Sequence, residues 1–433
     1  MFLAKGRKVI ILSFVLVLGF LLAATAVNAE TVELNMWTFV NAHAEFFEMK
    51  AEEYNQAQSD VTLKLKTQTL PYDQMHDKLN VALQTGMGAP DIVDIEIAKF
   101  PGIVANSVDK LVDLTSVTDK YKDEIVTARL APYSSLEGKV YGIPTHIGTA
   151  VIYYNQELFK EAGVSVDDIK TWEDYVEVGK KLTKDTDGDG EIDQWMAPVA
   201  HGSAWPFHLM SRQFGSNSFD EDGNIILDRK ENIKVLQFLQ DLVYKHKIGN
   251  VMQDYHQQNF YDVMNSGKYA SVLPMPQWYM IRFTDFMPDL KGKILVRPMP
   301  AWSSGGTLSA TGGGTGTAIT KQANNIEVAK DFLAFAKLTE KAGVQIWTEL
   351  GFDPIRKDAY NHEELYEPLP YFGNERVMNT IKSLQSEIQP LYLTGLYPKV
   401  QDILGEEVLF KTIEQNKDVE KALKDAAETL RSE

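Results

Sequence analysis

Residues 32–97 read VELNMWTFVNAHAEFFEMKAEEYNQAQSDVTLKLKTQTLPYDQMHDKLNVALQTGMGAPDIVDIEI, and this stretch decides the fold. Its first six residues alternate apolar and polar, as a half-buried strand does. From Ala44 to Gln56 the period lengthens, with Phe46, Phe47, Met49, Ala51 and Tyr54 on one helical face. Residues 61–67 alternate again, with Val61, Leu63 and Leu65 inward and Thr62, Lys64 and Lys66 outward. Tyr72 to Gln84 predicts a second helix, stopped by Gly86 and Gly88, and residues 90–97 predict a third strand. Strand, helix, strand, helix, strand is the pattern of an α/β layer built on a parallel sheet with helices on its faces.

Outward from this unit the pattern breaks. Residues 138–155, GKVYGIPTHIGTAVIYYN, hold a Gly-Pro interruption and then a β-rich run with no helix between, as expected where a chain crosses between domains. Helical periods return at Trp172–Leu182, Ile233–Tyr244 and Phe260–Ser266, with a short strand at Tyr269–Leu273. The stretch SSGGTLSATGGGTG (303–316) has the composition of a linker, yet it runs into strand-like residues 317–320 and the helix Ile326–Lys337, as an ordered loop does.

Before the first strand stands a leader, residues 1–29. Lys5, Arg7 and Lys8 precede an apolar run from Val9 to Leu22, and Val27-Asn28-Ala29 places small residues where a signal peptidase reads. A retained membrane anchor is the alternative; Ser13, Gly19 and Thr25 interrupt the run and no charged stop follows it. The expected location is therefore periplasmic. The chain has no cysteine to carry a lipid, so a mature protein starting at Glu30 is expected to diffuse freely.

The net charge of −17, more negative still without the leader's three cations, argues against any general hold on nucleic acid or anionic lipid. The sequence shows no cysteine nucleophile, no Gly-x-Ser-x-Gly elbow, no His-Glu-x-x-His and no phosphate loop. Seven Trp and 18 Tyr fill cores and also suit the stacking of sugars. The motif DTDGDGEID (185–193) sets Asp185, Asp187 and Asp189 at positions 1, 3 and 5 of a calcium loop. Gly190 follows at 6, the Glu191 carbonyl at 7 and Asp193 at 9. Met196 replaces the closing Glu at 12, and the other reading is an Asp-Gly turn without metal. No cofactor is required; a structural calcium is the one candidate.

Seven segments in order carry a resemblance: LNMWTF (34–39), GAPDIVDIE (88–96), VYGIPTHIGTAVIYYNQELF (140–159), TWEDYVEVGKKL (171–182), SGKYASVLPMPQW (266–278), GGGTGTAITKQANNIEVAKDFLAF (312–335) and LGFDPIRKD (350–358). With these the chain resembles the extracellular sugar-binding proteins of ABC importers, the family typified by maltodextrin-binding protein. The resemblance implies a two-lobed periplasmic-binding-protein fold of type II. Each lobe is a mainly parallel sheet flanked by helices, and strands cross between the lobes. The expected boundaries are 30–142 and 312–352 for the N-terminal lobe, and 143–311 and 353–433 for the C-terminal lobe. It implies a monomeric receptor, not an enzyme, whose lobes close on a sugar, expected to be an oligosaccharide, and which hands it to permease subunits.

By the same resemblance, ligand contacts come from loops at the C-terminal ends of strands. Asn41 and His43 follow the first strand, as contacts or as helix caps, a role that suits Asn41 better. Glu96 and Lys99 follow the third strand, where Ile95 stands in place of the family's stacking aromatic and Lys99 also fits a surface role. His201, Ser203 and Trp205 occupy one loop of the second lobe, and Trp278 stands where the family often carries a stacking Trp. His146 lies in the crossing segment. Gly313, within Gly312–Gly314, allows a close backbone approach or a tight turn. Tyr397 fits either a ligand contact or packing at a helix start. Tyr153-Tyr154, a pair that binds iron in some proteins, falls on opposite strand faces and reads as structural. A secreted glycoside hydrolase, or the same fold serving a non-sugar solute, is the alternative function.

Overall fold

The computed structural model describes residues 30–433; the leader reading lies outside the described residues. The opening unit forms as its periodicity dictates: β1 (Glu30–Thr38), α1 (Asn41–Ala57), β2 (Val61–Thr69), α2 (Tyr72–Thr85) and β3 (Ile92–Glu96). Helix α1 turns Phe46, Phe47, Ala51 and Tyr54 into the core. Strand β1 lies parallel to both β2 and β3. Two later strands complete this sheet, β4 (Ile143–Pro144) and β10 (Thr315–Ile319), in the order β2-β1-β3-β10-β4.

The second lobe is built around β5 (Ala150–Asn155), which pairs antiparallel with both β8 (Ser271–Pro276) and β9 (Ile294–Arg297). Strands β6 (Ala197–Ala200) and β7 (Gly249–Met252) pair in parallel. They join β8 through a parallel bridge between Trp195 and Tyr269 and the Ser271 N–H donating to the Met196 carbonyl at 2.8 Å. In each lobe every strand but one therefore runs the same way. The reversed strand is β10 in the first lobe and β5 in the second, and each has just arrived from the other lobe.

Residues 145–149 and 311–315 cross side by side. Thr145 N–H donates to the Thr315 carbonyl (3.0 Å) and Gly312 N–H to the Gly148 carbonyl (3.0 Å). A third strand of the junction passes at Asp353, whose carbonyl accepts from Ile147 N–H at 3.0 Å. The glycine-dense stretch is thus ordered, with Ser309 and Ala310 buried. Ile143–Pro144 belongs to the first sheet, so the first lobe extends two residues past the boundary read from sequence. A strand this short leaves no periodicity to read. Ile355 and Ile388, from the segment expected in the second lobe, pack in the core of the first. Tyr153 and Tyr154 enter two different cores, as opposite strand faces require. Among the described residues no helix is long and apolar enough to cross a membrane.

Candidate functional site

The loops after β3 and β8 meet the same crossing segment from the two lobes: Ile97 N–H donates to the Gly314 carbonyl at 2.9 Å, and Trp278 lies against Gly312 and Gly313. On the second lobe, Trp205 opens the helix Trp205–Gln213 and Trp278 follows β8. Their rings meet edge to face at 5.4 Å. His256, just beyond β7, stacks on Trp278 at 6.0 Å and 21°. Both Trp are half-buried, so an apolar ring surface stays within reach of solvent. Burial holds the His256 ring neutral by pushing its pKa down to about 4.

Trp278 is fixed to the junction: its indole N–H donates to the Gly312 carbonyl at 3.2 Å. Gly313 has φ +70°, and a Cβ there would meet the Trp278 Nε1 at 2.6 Å. Both the close approach and the turn thus require glycine at Gly313. Arg129 reaches this loop from the first lobe, donating from Nε to the His146 carbonyl (2.9 Å) and from Nη2 to the Gly313 carbonyl. His146 is buried against the Phe352 ring at 4.7 Å, and neither of its ring nitrogens has a hydrogen-bond partner among the described residues. Burial and the Arg129 cation keep His146 neutral, so it offers one donor and one acceptor.

On the first lobe, the Glu96 carboxylate accepts from Ala98 N–H (2.7 Å) and from the Tyr72 hydroxyl (3.1 Å). Its own N–H donates to His76 Nε2 at 3.1 Å. Burial pushes the Glu96 carboxyl up to about 7, more than these bonds and Lys99 pull it down. The unfolded chain ionises this group near 4.5, so between the two values the folded state holds more protons. Stability then falls as pH rises through that window and levels off above it. Glu96→Gln is expected to remove this fall, gaining on the order of 2 kcal/mol at neutral pH relative to acid. Melting curves of both proteins from pH 4.5 to 8 test this, and parallel profiles refute it.

Beneath this loop lies a buried polar cluster. Asp94 accepts from Thr38 and Thr317 hydroxyls (3.2 and 2.5 Å) and pairs with His43 Nδ1 at 2.9 Å. Lys337 Nζ donates to the Ile143 carbonyl, Thr145 and Thr317, and burial lowers its pKa to about 7 despite Asp94.

The sequence candidates divide accordingly. Glu96, His146, Trp205, Trp278 and Gly313 gather at the cleft. His43 is buried and committed to Asp94, so it braces the cleft wall. Asn41 is exposed as the first helical residue, and the cap position falls to Val40, whose N–H donates to the Thr38 hydroxyl at 3.2 Å. Asn41 therefore does not cap. Lys99 is part-exposed at the rim, 3.9 Å from Asp73 and above the Tyr72 ring. His201 and Ser203 are half-buried in their loop, with His201 against Phe410 at 5.4 Å. Tyr397 packs in the second-lobe core beside His208, with its hydroxyl near Arg212. In the Asp loop, ligand oxygens of Asp185, Asp187 and Asp189 lie within 4.8 Å of one another. Asp193 does not join them: Lys268 (2.5 Å) and the Thr186 hydroxyl (2.6 Å) hold its carboxylate. Glu191 is exposed beside it. Sequence reading missed Tyr72, His256, Phe352 and Arg129. Tyr72 and His256 follow β2 and β7, so the strand-end rule applied to every strand finds these two.

Residues 41–342 match the family model of the bacterial extracellular solute-binding protein. The chain belongs to this family. Its members bind and deliver solutes rather than transform them. The arabinooligosaccharide-binding protein of Bacillus subtilis (strain 168) is 42% identical over 405 residues, covering 92% of each chain. Its counterpart from Halalkalibacterium halodurans is 41% identical, covering 92% of this chain and 88% of that one. Among solved structures, the transporter-associated binding protein of B. animalis subsp. lactis Bl-04, in complex with β-1,6-galactobiose, superposes with a TM-score of 0.70. It is 23% identical and covers 93% of this chain and 97% of its own. That likeness establishes the two-lobed fold of the solute-binding family here.

Proposed function

We propose that this protein is the oligosaccharide receptor of an ABC importer and that its ligand is an arabinooligosaccharide. The observation that carries the reading is the Trp205–Trp278–His256 corner set against the Gly312–Gly313 turn of the junction, with the unpartnered His146 ring beside Gly314. Aromatic planes suit the apolar faces of a sugar, and buried donors and acceptors suit its hydroxyls. The names of the two relatives above 40% identity support the pentose chain over other sugars. Lobe closure would sequester the ligand and give the permease subunits a distinct liganded shape to recognise.

Tryptophan fluorescence and calorimetry with arabino-, malto- and galacto-oligosaccharides test the proposal. The expected result is saturable binding selective for the arabinose series, with sugar recovered intact. Selectivity for another series, or steady product release, would overturn it.

We also propose a monomeric receptor in the periplasm, beginning at Glu30 without a lipid, since the chain has no cysteine to carry one. Mass spectrometry of the exported protein checks the first residue, and light scattering checks the monomer. The Asp185 loop remains a candidate structural calcium site, held by Asp185, Asp187, Asp189 and the Glu191 carbonyl. Calcium is expected to raise the melting temperature by a few degrees at about a hundredfold excess over Kd, and Asp187→Asn to abolish that rise. An unchanged melting temperature refutes the site.

A further inference from the structure

The three rings of the corner leave three different strand ends: Trp205 follows β6, His256 follows β7 and Trp278 follows β8. Their contacts therefore depend on the register of three separate loops. The backbone sets part of it. The pairing of β6 with β7 runs on past both strands, with His201 N–H donating to the Met252 carbonyl (3.0 Å) and Gly202 N–H to the Gln253 carbonyl (2.8 Å). A Cβ at Gly202 would meet that Gln253 oxygen at 2.8 Å, so this close approach requires glycine.

Two buried tyrosines carry the register further, and each is the sequence neighbour of a ring: Tyr255 precedes His256 and Tyr279 follows Trp278. The Tyr255 hydroxyl accepts from Ala200 N–H at 3.0 Å and donates to the Pro198 carbonyl at 3.2 Å. It thereby ties the His256 loop to the strand end that leads to Trp205. The Tyr255 carbonyl accepts in turn from the Tyr279 hydroxyl, which ties the Trp278 loop to the His256 loop. Tyr279 also sets its ring edge to face against His256 at 5.3 Å. Burial pushes both phenols above the ordinary tyrosine range, so each keeps the proton it donates. On the other side of Trp278, Gln277 donates from Nε2 to the Gly351 carbonyl at 2.7 Å and accepts from Asp353 N–H at 3.2 Å. Trp278 is thus held to the junction through one neighbour and to the other two rings through the next.

We propose that Tyr255 and Tyr279 are positioning residues for carbohydrate binding, their hydroxyls forming a relay that fixes Trp205, His256 and Trp278 in one arrangement. The inference rests on the aromatic corner being the ligand site. The two hydroxyls are spent on the protein, so they act on a sugar through the rings beside them. Phenylalanine fills nearly the same space as either tyrosine and removes only the link.

Calorimetry with arabinotriose tests this on Tyr255→Phe and Tyr279→Phe, with Tyr279→Phe made also in a Trp278→Ala background. Each tyrosine variant is expected to weaken binding about fivefold, the scale of one lost hydrogen bond. Without Trp278, the Tyr279→Phe change is expected to cost less than about twofold, because the ring it positions is gone. Tyr175→Phe is the control: its hydroxyl is equally buried, pairs with Ser271 Oγ at 2.7 Å, and lies in a separate core. It should lower the melting temperature comparably and leave affinity within about twofold. Melting curves identify a variant that fails to fold, and Tyr279→Phe, which leaves one carbonyl unpaired, then decides alone. Unchanged affinity in the folded tyrosine variants overturns the relay while leaving the cleft reading intact. So does a loss that persists in full without Trp278, or one matched by Tyr175→Phe. Failure of the unaltered protein to bind arabinotriose overturns the ligand reading, and the relay with it.

Discussion

Trp278→Ala is expected to weaken oligosaccharide binding by roughly 30- to 100-fold, the effect of removing a central aromatic anchor worth about 2–3 kcal/mol. The size follows from how the ring is held. Its indole N–H is tied to the Gly312 carbonyl, His256 covers one face, and Trp205 fixes its edge. Little rotamer freedom is left to lose when a sugar arrives, so the contact energy appears almost entirely as affinity. Trp278→Phe should recover part of the loss, since it keeps an aromatic face without the anchoring donor. Calorimetry of the three proteins against one oligosaccharide checks this. A drop below threefold for the alanine variant would show that Trp278 is packing rather than platform. Melting curves separate that outcome from unfolding.

Asp353→Ala is expected to lower stability by about 2–5 kcal/mol. Asp353 is fully buried where the three crossing segments meet. Its carboxylate accepts from Gly148 N–H at 3.0 Å and Thr149 N–H at 2.8 Å, and its own N–H donates to Gln277 Oε1 at 3.2 Å. Alanine strands two buried backbone donors, each costing about 1–3 kcal/mol when left unsatisfied. The melting temperature should fall by roughly 2–6 °C. Asp353→Asn retains one acceptor and should fall between. Denaturation monitored by circular dichroism decides the matter, and an alanine variant melting with the parent would refute the bracing role.

The opening β-α-β-α-β unit was legible to within a few residues, because β1 alternates exposed and buried residues, β3 is buried, and α1 turns Phe46, Phe47, Ala51 and Tyr54 to one side. The helices Trp172–Leu182 and Ile326–Lys337 have the expected ends, where Thr171 and Asn325 cap them. The lobe boundary slipped because β4 has two residues and owes its existence to β10, some 170 residues later. The candidate residues that sequence reading placed beside the junction stand at strand ends, Glu96 closing β3 and Trp278 just beyond β8. Arg129 and Phe352 escaped because their partners, Gly313 and His146, are remote in sequence. Asp193 misled for the same reason: motif spacing alone cannot foresee Lys268 arriving to claim its carboxylate.

The two reversed strands have a consequence for biogenesis. Strand β3 pairs with β10 over residues separated by more than 200 positions, as in the Thr317–Asp94 bond with its separation of 223. At about 10 residues per second, β3 waits on the order of 20 s for its neighbour to be synthesised. During that interval the first lobe has an unfilled sheet edge and no finished core. Pairing this distant is also slow to form. The interlaced connectivity that builds the junction therefore also postpones completion of the first sheet until residues 315–319 have been made.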